Sequence, residues 1–168
     1  MKIKLFFLAL LLSMCSNTAE EVTKLKIISL STTHTEIIKS IGAANTLVGI
    51  DSFSEVSFPV EVIDSYTVTA DELKVLDPDL VILAFDFNGI VEGLKNQEIN
   101  FLLLPPARTL EDVYSQIETI GAIVNKKNEA VAKTRDMKLS INRIIDNSNF
   151  EDISVYHEIG YSYGIYSV

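Results

Sequence analysis

The sequence predicts an α/β fold, in which helices cover both faces of a parallel sheet. Short continuous apolar runs alternate with segments whose apolar residues recur at helical spacing, and most of the connections between them are short. A strand that is apolar along its whole length is buried on both faces, as is typical of a parallel sheet. The 168 residues are enough for one such domain, or for one and a fraction.

The first strand and the first helix are adjacent in the sequence. KLKIISL is a run of aliphatic and β-branched residues that predicts a buried strand. THTEIIKSIGAA predicts the helix, which ends near Gly42 and carries one apolar face of Ile37, Ile38 and Ile41. One interpretation of Thr32 or Thr33 is that the residue serves only as the N-cap of this helix.

The following elements alternate in the same way. TLVGID predicts a second strand, and SFSEVSFPVEVIDSY predicts a long irregular connection broken by Pro59. TADELKVL predicts a short helix in which Thr69 is the N-cap and Glu72 closes a capping box. DPDLVILAF and INFLLLPP predict strands, with the helix NGIVEGLKNQ between them. TLEDVYSQIETIGAIV predicts a longer helix that begins at Thr109.

The alternation stops at residue 125. NKKNEAVAKTRDMKLSINRIIDNSN predicts one long helix over residues 125–147, about 30 Å in length. Its apolar stripe consists of Val131, Thr134, Met137, Ile141, Ile144 and Ile145. Residues 153–156 predict a further strand, and one strand alone is not a sheet. We therefore expect an N-terminal α/β lobe over residues 24–124, a linker helix, and the first strand of a truncated C-terminal lobe over residues 150–168. The alternative is that the last strand joins the edge of the first lobe.

Residues 1–19 predict an export signal followed by a tether. Two lysines precede an apolar run that is too short to cross a bilayer of about 30 Å, although a transmembrane anchor is the alternative. LSMC resembles a bacterial lipobox, which implies lipidation of Cys15, with Met14 where a small residue is usual. We expect an exported protein that is periplasmic, or held at the cell envelope by a lipid on Cys15 and by no other membrane contact.

Composition limits the partners and the means of stabilisation. A hydrophobic content of 48% with 22% charged residues is typical of a globular protein. The net charge of −9 would repel phosphate and excludes nucleic acid as an expected partner. Because Cys15 is the single cysteine, no internal disulfide can form, and the core alone must stabilise the fold.

The candidate site lies in the loops at the carboxyl ends of the strands, where open parallel sheets bind their ligands. This rule selects four loops: residues 31–34, 51–54, 85–88 and 105–108. They carry hydroxyl groups, three phenylalanines, two aspartates, an asparagine and an arginine, a mixture that suits an amphipathic ligand. The hydroxyl groups and free amides of Ser31, Thr32 and Thr33 present donors to an oxygen-rich ligand. The alternative is that the phenylalanines only pack the lobe and the polar residues only cap elements.

The sequence gives little support to a metal site or a catalytic site. His34 and Glu36 are two positions apart and point to different faces of a helix, and His157 is 123 residues away. A nucleophile elbow and a phosphate loop are both absent from the sequence. His34 is expected at the rim of the cleft. An exported doubly wound hydrolase that uses His34 with Asp51 or Asp86 remains an alternative, as does a non-functional truncated product.

Three stretches taken in order resemble a known family. KIISLSTTHTEIIKSIGAANTLVGID, TADELKVLDPDLVIL and LEDVYSQIETIGAIVNKKNEA look like the N-terminal lobe of periplasmic binding proteins for cobalamin, haem and iron–siderophore complexes. SVYHEIG resembles the strand that opens their second lobe. The resemblance implies two Rossmann-like α/β lobes joined by one long helix, with the ligand held between them. It also implies a monomeric protein that is not an enzyme, needs no cofactor, and passes an iron chelate or cobalamin to the permease of an ABC importer.

The resemblance assigns site residues by position. The ligand-binding residues would be Ser31, Thr32, Thr33, His34, Ser52, Phe53, Phe85, Asp86, Phe87, Asn88, Ala107 and Arg108. The carboxylate that docks against the permease would be Asp71 or Glu72. Arg108 can pair with a ligand carboxylate or phosphate, and the phenylalanine rings can stack on a corrin, porphyrin or catecholate face. On this basis an iron chelate is favoured over cobalamin, with haem third.

Overall fold

The computed structural model describes residues 24–148 and the backbone of residues 158–160 and 166–167. Strands and helices alternate along most of the chain, although two strands follow one another over residues 47–63 and two helices over residues 110–147. The strands are β1 (Ile27–Leu30), β2 (Leu47–Asp51), β3 (Glu61–Ile63), β4 (Leu80–Leu83), β5 (Phe101–Leu103), β6 (Glu158–Gly160) and β7 (Tyr166–Ser167). The α-helices are α1 (Thr32–Ser40), α2 (Ala70–Val75), α3 (Ile90–Asn96), α4 (Leu110–Ile123) and α5 (Lys127–Asn147), and two 3-10 turns span Ala44–Thr46 and Phe87–Gly89.

Five of the strands form the sheet that the sequence predicts. Their order is β3-β2-β1-β4-β5, and every pairing is parallel. The chain runs outward from β1 to β3 on one side, then crosses back to continue through β4 and β5 on the other. The direction of winding therefore changes between β1 and β4, and the crevice beyond their carboxyl ends is the usual ligand position in such sheets.

The sheet is covered on both faces, which confirms the predicted architecture. On one face Ile27 and Ile82 pack with α1, α4 and the start of α5. On the other face Ile28, Val81 and Leu83 pack with α2 and α3. Neighbouring residues of one strand thus enter different cores, which explains why the strands read as unbroken apolar runs.

Two helices begin with a capping box, and α1 has a different N-cap from those considered in the sequence. Thr69 and Thr109 each form a capping box, with Glu72 and Asp112 respectively. The N-cap of α1 is Ser31 and not Thr32 or Thr33, and its hydroxyl makes no capping hydrogen bond. At the other end Gly42 has φ of 74°, and Ala43 N–H donates to Ile38 O at 3.0 Å, as in a Schellman ending.

The connection after β2 contains a strand that the sequence prediction lacks. Residues 52–66 were expected to be irregular because Pro59 interrupts them, yet β3 pairs with β2 directly after that proline. Proline is tolerated there because β3 is an edge strand and the residue precedes its first ladder bond. The run Val60, Val62 and Ile63 was the β-branched signal for this strand.

Helix α5 confirms the predicted long helix but not the whole of its apolar stripe. It packs on α4 through the buried residues Ala130 and Thr134, and Thr134 Oγ1 donates to Glu118 Oε1 at 3.0 Å. Val131, Ile144 and Ile145 are exposed, so the stripe is wrong at these positions. Contact with α4 sets the rotation of α5 and extends at least to Lys138, whose Nζ lies 4.6 Å from the centroid of the Tyr114 ring. None of the helices that the structure describes is both long and apolar enough to cross a membrane.

The end of the chain carries more strand structure than predicted. β6 and β7 pair in an antiparallel arrangement within residues 150–168, where a single strand was expected. The predicted strand over residues 153–156 lies outside the described residues, as do Cys15 and the rest of the export signal.

Candidate functional site

Four aromatic side chains form a surface cluster at the carboxyl edge of the sheet. Phe53 follows β2, Tyr66 follows β3, and Phe85 and Phe87 follow β4. The ring centroids of Phe53 and Tyr66 are 6.4 Å apart with the planes at 88°, those of Tyr66 and Phe87 are 4.7 Å apart, and those of Phe85 and Phe87 are 5.3 Å apart. Phe53 is 68% exposed, Tyr66 51% and Phe85 50%. We call these four residues the aromatic cluster.

Hydrogen bonds fix the loops that carry the aromatic cluster. Asp64 Oδ1 accepts from Tyr66 N–H at 3.0 Å, which forms a tight turn after β3. Asn88, with φ of 53°, donates from Nδ2 to Tyr66 O and joins this turn to the loop after β4. Asp86 Oδ1 accepts from Val91 N–H at 2.9 Å and secures the start of α3. The rings are therefore held in position although their faces are open to solvent.

Asp51 connects the loop after β2 to the start of α1. Its carboxylate is only 2% exposed. Oδ1 accepts from Thr32 Oγ1 at 2.9 Å and from Phe53 N–H at 3.0 Å, and Oδ2 accepts from Ser54 Oγ. One buried charge thus aligns the ends of two adjacent strands and sets the direction of the Phe53 side chain.

His34 does not lie where the sequence places it. The prediction of a rim residue is wrong, because His34 is 1% exposed and lies on the inner face of α1. His34 precedes Ile37, Ile38 and Ile41 by three, four and seven positions, so helical spacing puts it on their buried face. The hydrogen bonds of Asp51 and Asp86 go to other groups, so the structure does not bring together the pair that a hydrolase would need.

The burial of His34 predicts a pH-dependent stability. Nδ1 has no hydrogen-bond partner among the described residues, and burial lowers the pKa of His34 to about 4. The unfolded chain, with a histidine pKa of about 6.5, therefore binds more protons than the folded chain between these two values, and stability falls as the pH is lowered through this window. We expect a loss of about 2 kcal/mol in the free energy of unfolding from pH 7 to pH 5.

Urea unfolding at several pH values, followed by circular dichroism, measures this loss. The pKa values of Glu72, Asp77, Asp112 and Glu129 are lowered in the fold, so these carboxylates act mainly below the window. In His34→Gln, the stability should change much less between pH 7 and pH 5. An unchanged pH dependence in this variant would contradict the assignment to His34.

The loop after β5 forms a separate part of the same edge. Gln116 Nε2 donates to Pro105 O at 2.7 Å, and Asp112 Oδ2 accepts from Arg108 N–H at 3.0 Å. Ala107 is half-buried and Arg108 is exposed. Together they line a cavity of about 380 Å³ between this loop and α4.

The structure brings most of the predicted site residues to one edge of the sheet. Ser31, Thr32, Thr33, Ser52 and the three phenylalanines all lie at the carboxyl ends of β1, β2 and β4, and of the predicted set only His34 is buried. The structural alternative, in which the phenylalanines only pack the lobe, fails for Phe53 and Phe85 because both are exposed.

Tyr66 belongs to the candidate site, but the sequence analysis did not select it. It follows β3, and without that strand the rule of carboxyl ends could not select its loop. Once VEVI is recognised as a strand, the same rule places the loop DSYT at the site.

Asp71 and Glu72 lie in the first turn of α2, and both are exposed. Glu72 Oε2 accepts from Thr69 N–H and Thr69 Oγ1, both at 2.8 Å, so its carboxylate serves the capping box. Asp71 Oδ1 accepts from Gln97 Nε2.

Among the residues the structure describes, no group of three or more histidine, cysteine, aspartate or glutamate side chains is arranged to hold a metal ion.

A model of one known protein family matches most of the described chain. The family model described as "Periplasmic binding protein" matches residues 27–147, which extend from β1 to the end of α5. Among curated proteins, an uncharacterized ABC transporter substrate-binding lipoprotein of Bacillus subtilis, YvrC, is 28% identical over 154 residues. The match covers 84% of this chain and 49% of that protein, so the chain spans about half the length of this relative.

Two solved structures share the fold. The periplasmic heme binding protein HutB of Vibrio cholerae has a TM-score of 0.71 and 19% identity, with 83% of this chain and 56% of that chain covered. A possible iron-binding periplasmic solute-binding protein of Staphylococcus epidermidis has a TM-score of 0.69 and 20% identity, with 84% and 59% covered. At these identities the likeness shows the fold and leaves the ligand open.

Proposed function

Because the chain belongs to the periplasmic binding protein family, we propose that it is an exported substrate-binding component of an ABC importer. It captures an iron chelate or cobalamin at the carboxyl edge of the sheet and delivers it to a permease, without chemical turnover. Export directed by residues 1–19, with a lipid on Cys15, belongs to the same proposal. The lipoprotein description of the Bacillus subtilis relative supports this part.

The aromatic cluster is the observation that carries the proposal. Rings from three loops are exposed together at the edge where doubly wound sheets bind ligands. A soluble domain rarely leaves several fixed aromatic side chains in one open patch unless something covers them. A large ligand with apolar or π faces fits this patch better than a small ion, because stacking on rings needs matching flat surface.

The remaining predicted residues complete the proposed face. Ser31, Thr32, Thr33 and Ser52 supply hydroxyl groups or free amides next to the rings. Asp86 and Asn88 chiefly hold the loop after β4, and Ala107 and Arg108 extend the face beyond it. His34 lies on the buried inner face of α1 and makes no contact with a ligand in this proposal.

The binding of candidate chelates tests the function directly. The chain has six tyrosines and no tryptophan, so ligand binding to the 168-residue chain can be followed by quenching of tyrosine fluorescence, to which Tyr66 contributes. Titration with ferric siderophores, cyanocobalamin and haemin should give saturable binding to at least one probe. Phe87→Ala should weaken that binding by about tenfold, which is the loss of one stacked ring.

Val131→Ala is the matched control, because Val131 is 47% exposed on α5 and belongs to none of the loops that carry the aromatic cluster. It should leave the affinity unchanged. Failure of every probe to bind, or equal losses in the two variants, would overturn the proposal.

Docking to the permease belongs to the same proposal, and the structure favours Asp71 over Glu72 for it. Glu72 already serves the capping box, so Glu72→Ala, which removes the acceptor of the Thr69 N–H, should lower the stability of the chain. Asp71→Asn should leave stability unchanged and weaken stimulation of the permease ATPase in reconstituted membranes. The opposite pattern of losses would assign docking to Glu72.

A further inference from the structure

The charges on the proposed binding face restrict the ligand it can hold, and this inference rests on the function proposed above. The face is built by five loops: residues 31–34, 51–54, 64–67, 85–89 and 105–108. Within them stand three aspartates, Asp51, Asp64 and Asp86, and one permanent cation, Arg108. Two groups on this face could attract an anion: the amide end of α1 and the Arg108 guanidinium.

The amide end of α1 already faces a carboxylate of the chain. The first turn of α1 contains no acidic residue, so the positive end of the helix dipole is not offset from within the helix. Asp51 supplies the negative charge instead, since its Oδ1 accepts from the hydroxyl of Thr32, the first residue of the helix. A ligand anion at this position would meet a buried negative charge as well as the free amides.

Arg108 is also beside a carboxylate. Asp112 Oδ2 accepts from the backbone N–H of Arg108 and of Thr109, each at 3.0 Å. These hydrogen bonds lower the pKa of Asp112, and the Arg108 charge lowers it further. Arg108 and Asp112 line the same cavity beside the loop after β5, so an anion that enters it to reach Arg108 also approaches the Asp112 carboxylate.

The other acidic groups on the face have only backbone partners. Asp64 accepts from Tyr66 N–H and Asp86 from Val91 N–H, and in the described part of the chain neither forms an ion pair. Both lie in the loops that carry the aromatic cluster. An anion stacked on these rings would therefore approach two exposed negative charges.

We propose that the face selects an uncharged metal chelate, one whose apolar surface covers the aromatic cluster and whose net charge is zero. Ferric chelates with several negative charges are rejected by Asp64 and Asp86. Their attraction to Arg108 is too weak to compensate, because Asp112 offsets it.

Calorimetric titration of the full chain tests this selection. The probes are ferrichrome, an uncharged ferric trihydroxamate, and ferric enterobactin, a trianionic ferric tricatecholate, with cyanocobalamin as a second uncharged chelate. We expect the tighter of the two uncharged probes to bind at least about tenfold more tightly than the trianion at low salt. The ratio of the two affinities should decrease when NaCl is raised from about 50 mM to about 500 mM, because salt screens the repulsion between exposed charges.

Asp112→Asn tests the charge argument independently. It frees the Arg108 charge while its amide oxygen can still accept the capping hydrogen bonds. The affinity for ferric enterobactin should rise by about threefold at low salt, with that for the uncharged probes unchanged. Asp136→Asn makes the same change of charge on α5, away from the face, and should leave both affinities unchanged.

The outcomes separate the two proposals. Tighter or equal binding of ferric enterobactin would overturn the selection of an uncharged ligand and leave the binding function standing. Equal effects of Asp112→Asn and Asp136→Asn would also overturn it. If none of the three probes binds, the selection proposed here falls, and failure across the wider panel used to test the function would remove the binding function as well.

Discussion

Gly121→Ala is expected to lower the free energy of unfolding by about 3 kcal/mol, because two helix backbones meet at this residue. A Cβ atom built at Gly121 lies 2.3 Å from Ala130 Cβ and 3.1 Å from Lys126 O. Both contacts belong to the tight connection between α4 and α5, so α5 must move away as a whole. Alanine gains about 1 kcal/mol in helix propensity over glycine, which the separation of the helices outweighs. Urea denaturation of the wild-type and variant chains measures the difference.

A second substitution shows whether the steric contact is the cause. In the double variant Gly121→Ala with Ala130→Gly, the methyl group moves from one helix to the other and the closest contact disappears. We expect the double variant to be more stable than Gly121→Ala alone, despite the added glycine in α5. A double variant that is less stable than both single variants would show that the close approach does not determine the loss.

Asp51→Ala is expected to cost about 3 kcal/mol of stability and to abolish ligand binding. The substitution removes the acceptor of three hydrogen bonds and leaves the Phe53 amide and the hydroxyl groups of Thr32 and Ser54 without their partner. A hydrogen bond to a charged group contributes about 1.5–3 kcal/mol, and the hydroxyl groups can turn toward water to recover part of this. Phe53 then loses its fixed direction, so the aromatic cluster opens at one end.

Asp51→Asn separates the charge from the geometry. Its amide oxygen can still accept from Thr32 and Phe53, and its amide group can donate to the Ser54 hydroxyl. We expect a loss of about 1 kcal/mol with most of the binding retained. Asp64→Asn, at an exposed aspartate of the same face, should change stability by less than about 0.5 kcal/mol. Equal losses in Asp51→Ala and Asp64→Asn would contradict the central role of Asp51.

The main features of the fold could be predicted because its strands and helices have strong local signals. β1 and β4 are unbroken apolar runs, and the capping boxes at Thr69 and Thr109 need only two residues at fixed spacing. The edge of the sheet on which the candidate residues lie could also be predicted, since the carboxyl ends of parallel strands meet at one edge whatever the order of the strands. Phe53 and Phe85 lie at that edge and are exposed, and their role in binding stays a prediction.

The errors concern features that depend on neighbours in space. β3 has three residues, follows a proline, and forms only because β2 offers it a ladder. Tyr66 was missed with it. His34 is a different case: its position after the first strand suggested the rim of the cleft, whereas its helical spacing to Ile37, Ile38 and Ile41 already indicates a buried face. The apolar stripe predicted for α5 was partly wrong because the contact between Gly121 and Ala130 determines which side of α5 faces α4.

The position of β3 also determines how durable the aromatic cluster is. Tyr66 lies at the centre of the cluster, yet it follows the shortest strand on that side of the sheet, which pairs with β2 alone. At Gly49 of β2 an added Cβ would lie 2.8 Å from Ile63 Cδ1, so the side chain of Ile63 in β3 packs closely against β2. We expect the assembled ring surface to last only while β3 stays paired with β2, because an edge strand can open without global unfolding. Under the proposed function, changes in the core near Ile63 would therefore alter the residence time of the ligand without touching a residue of the face.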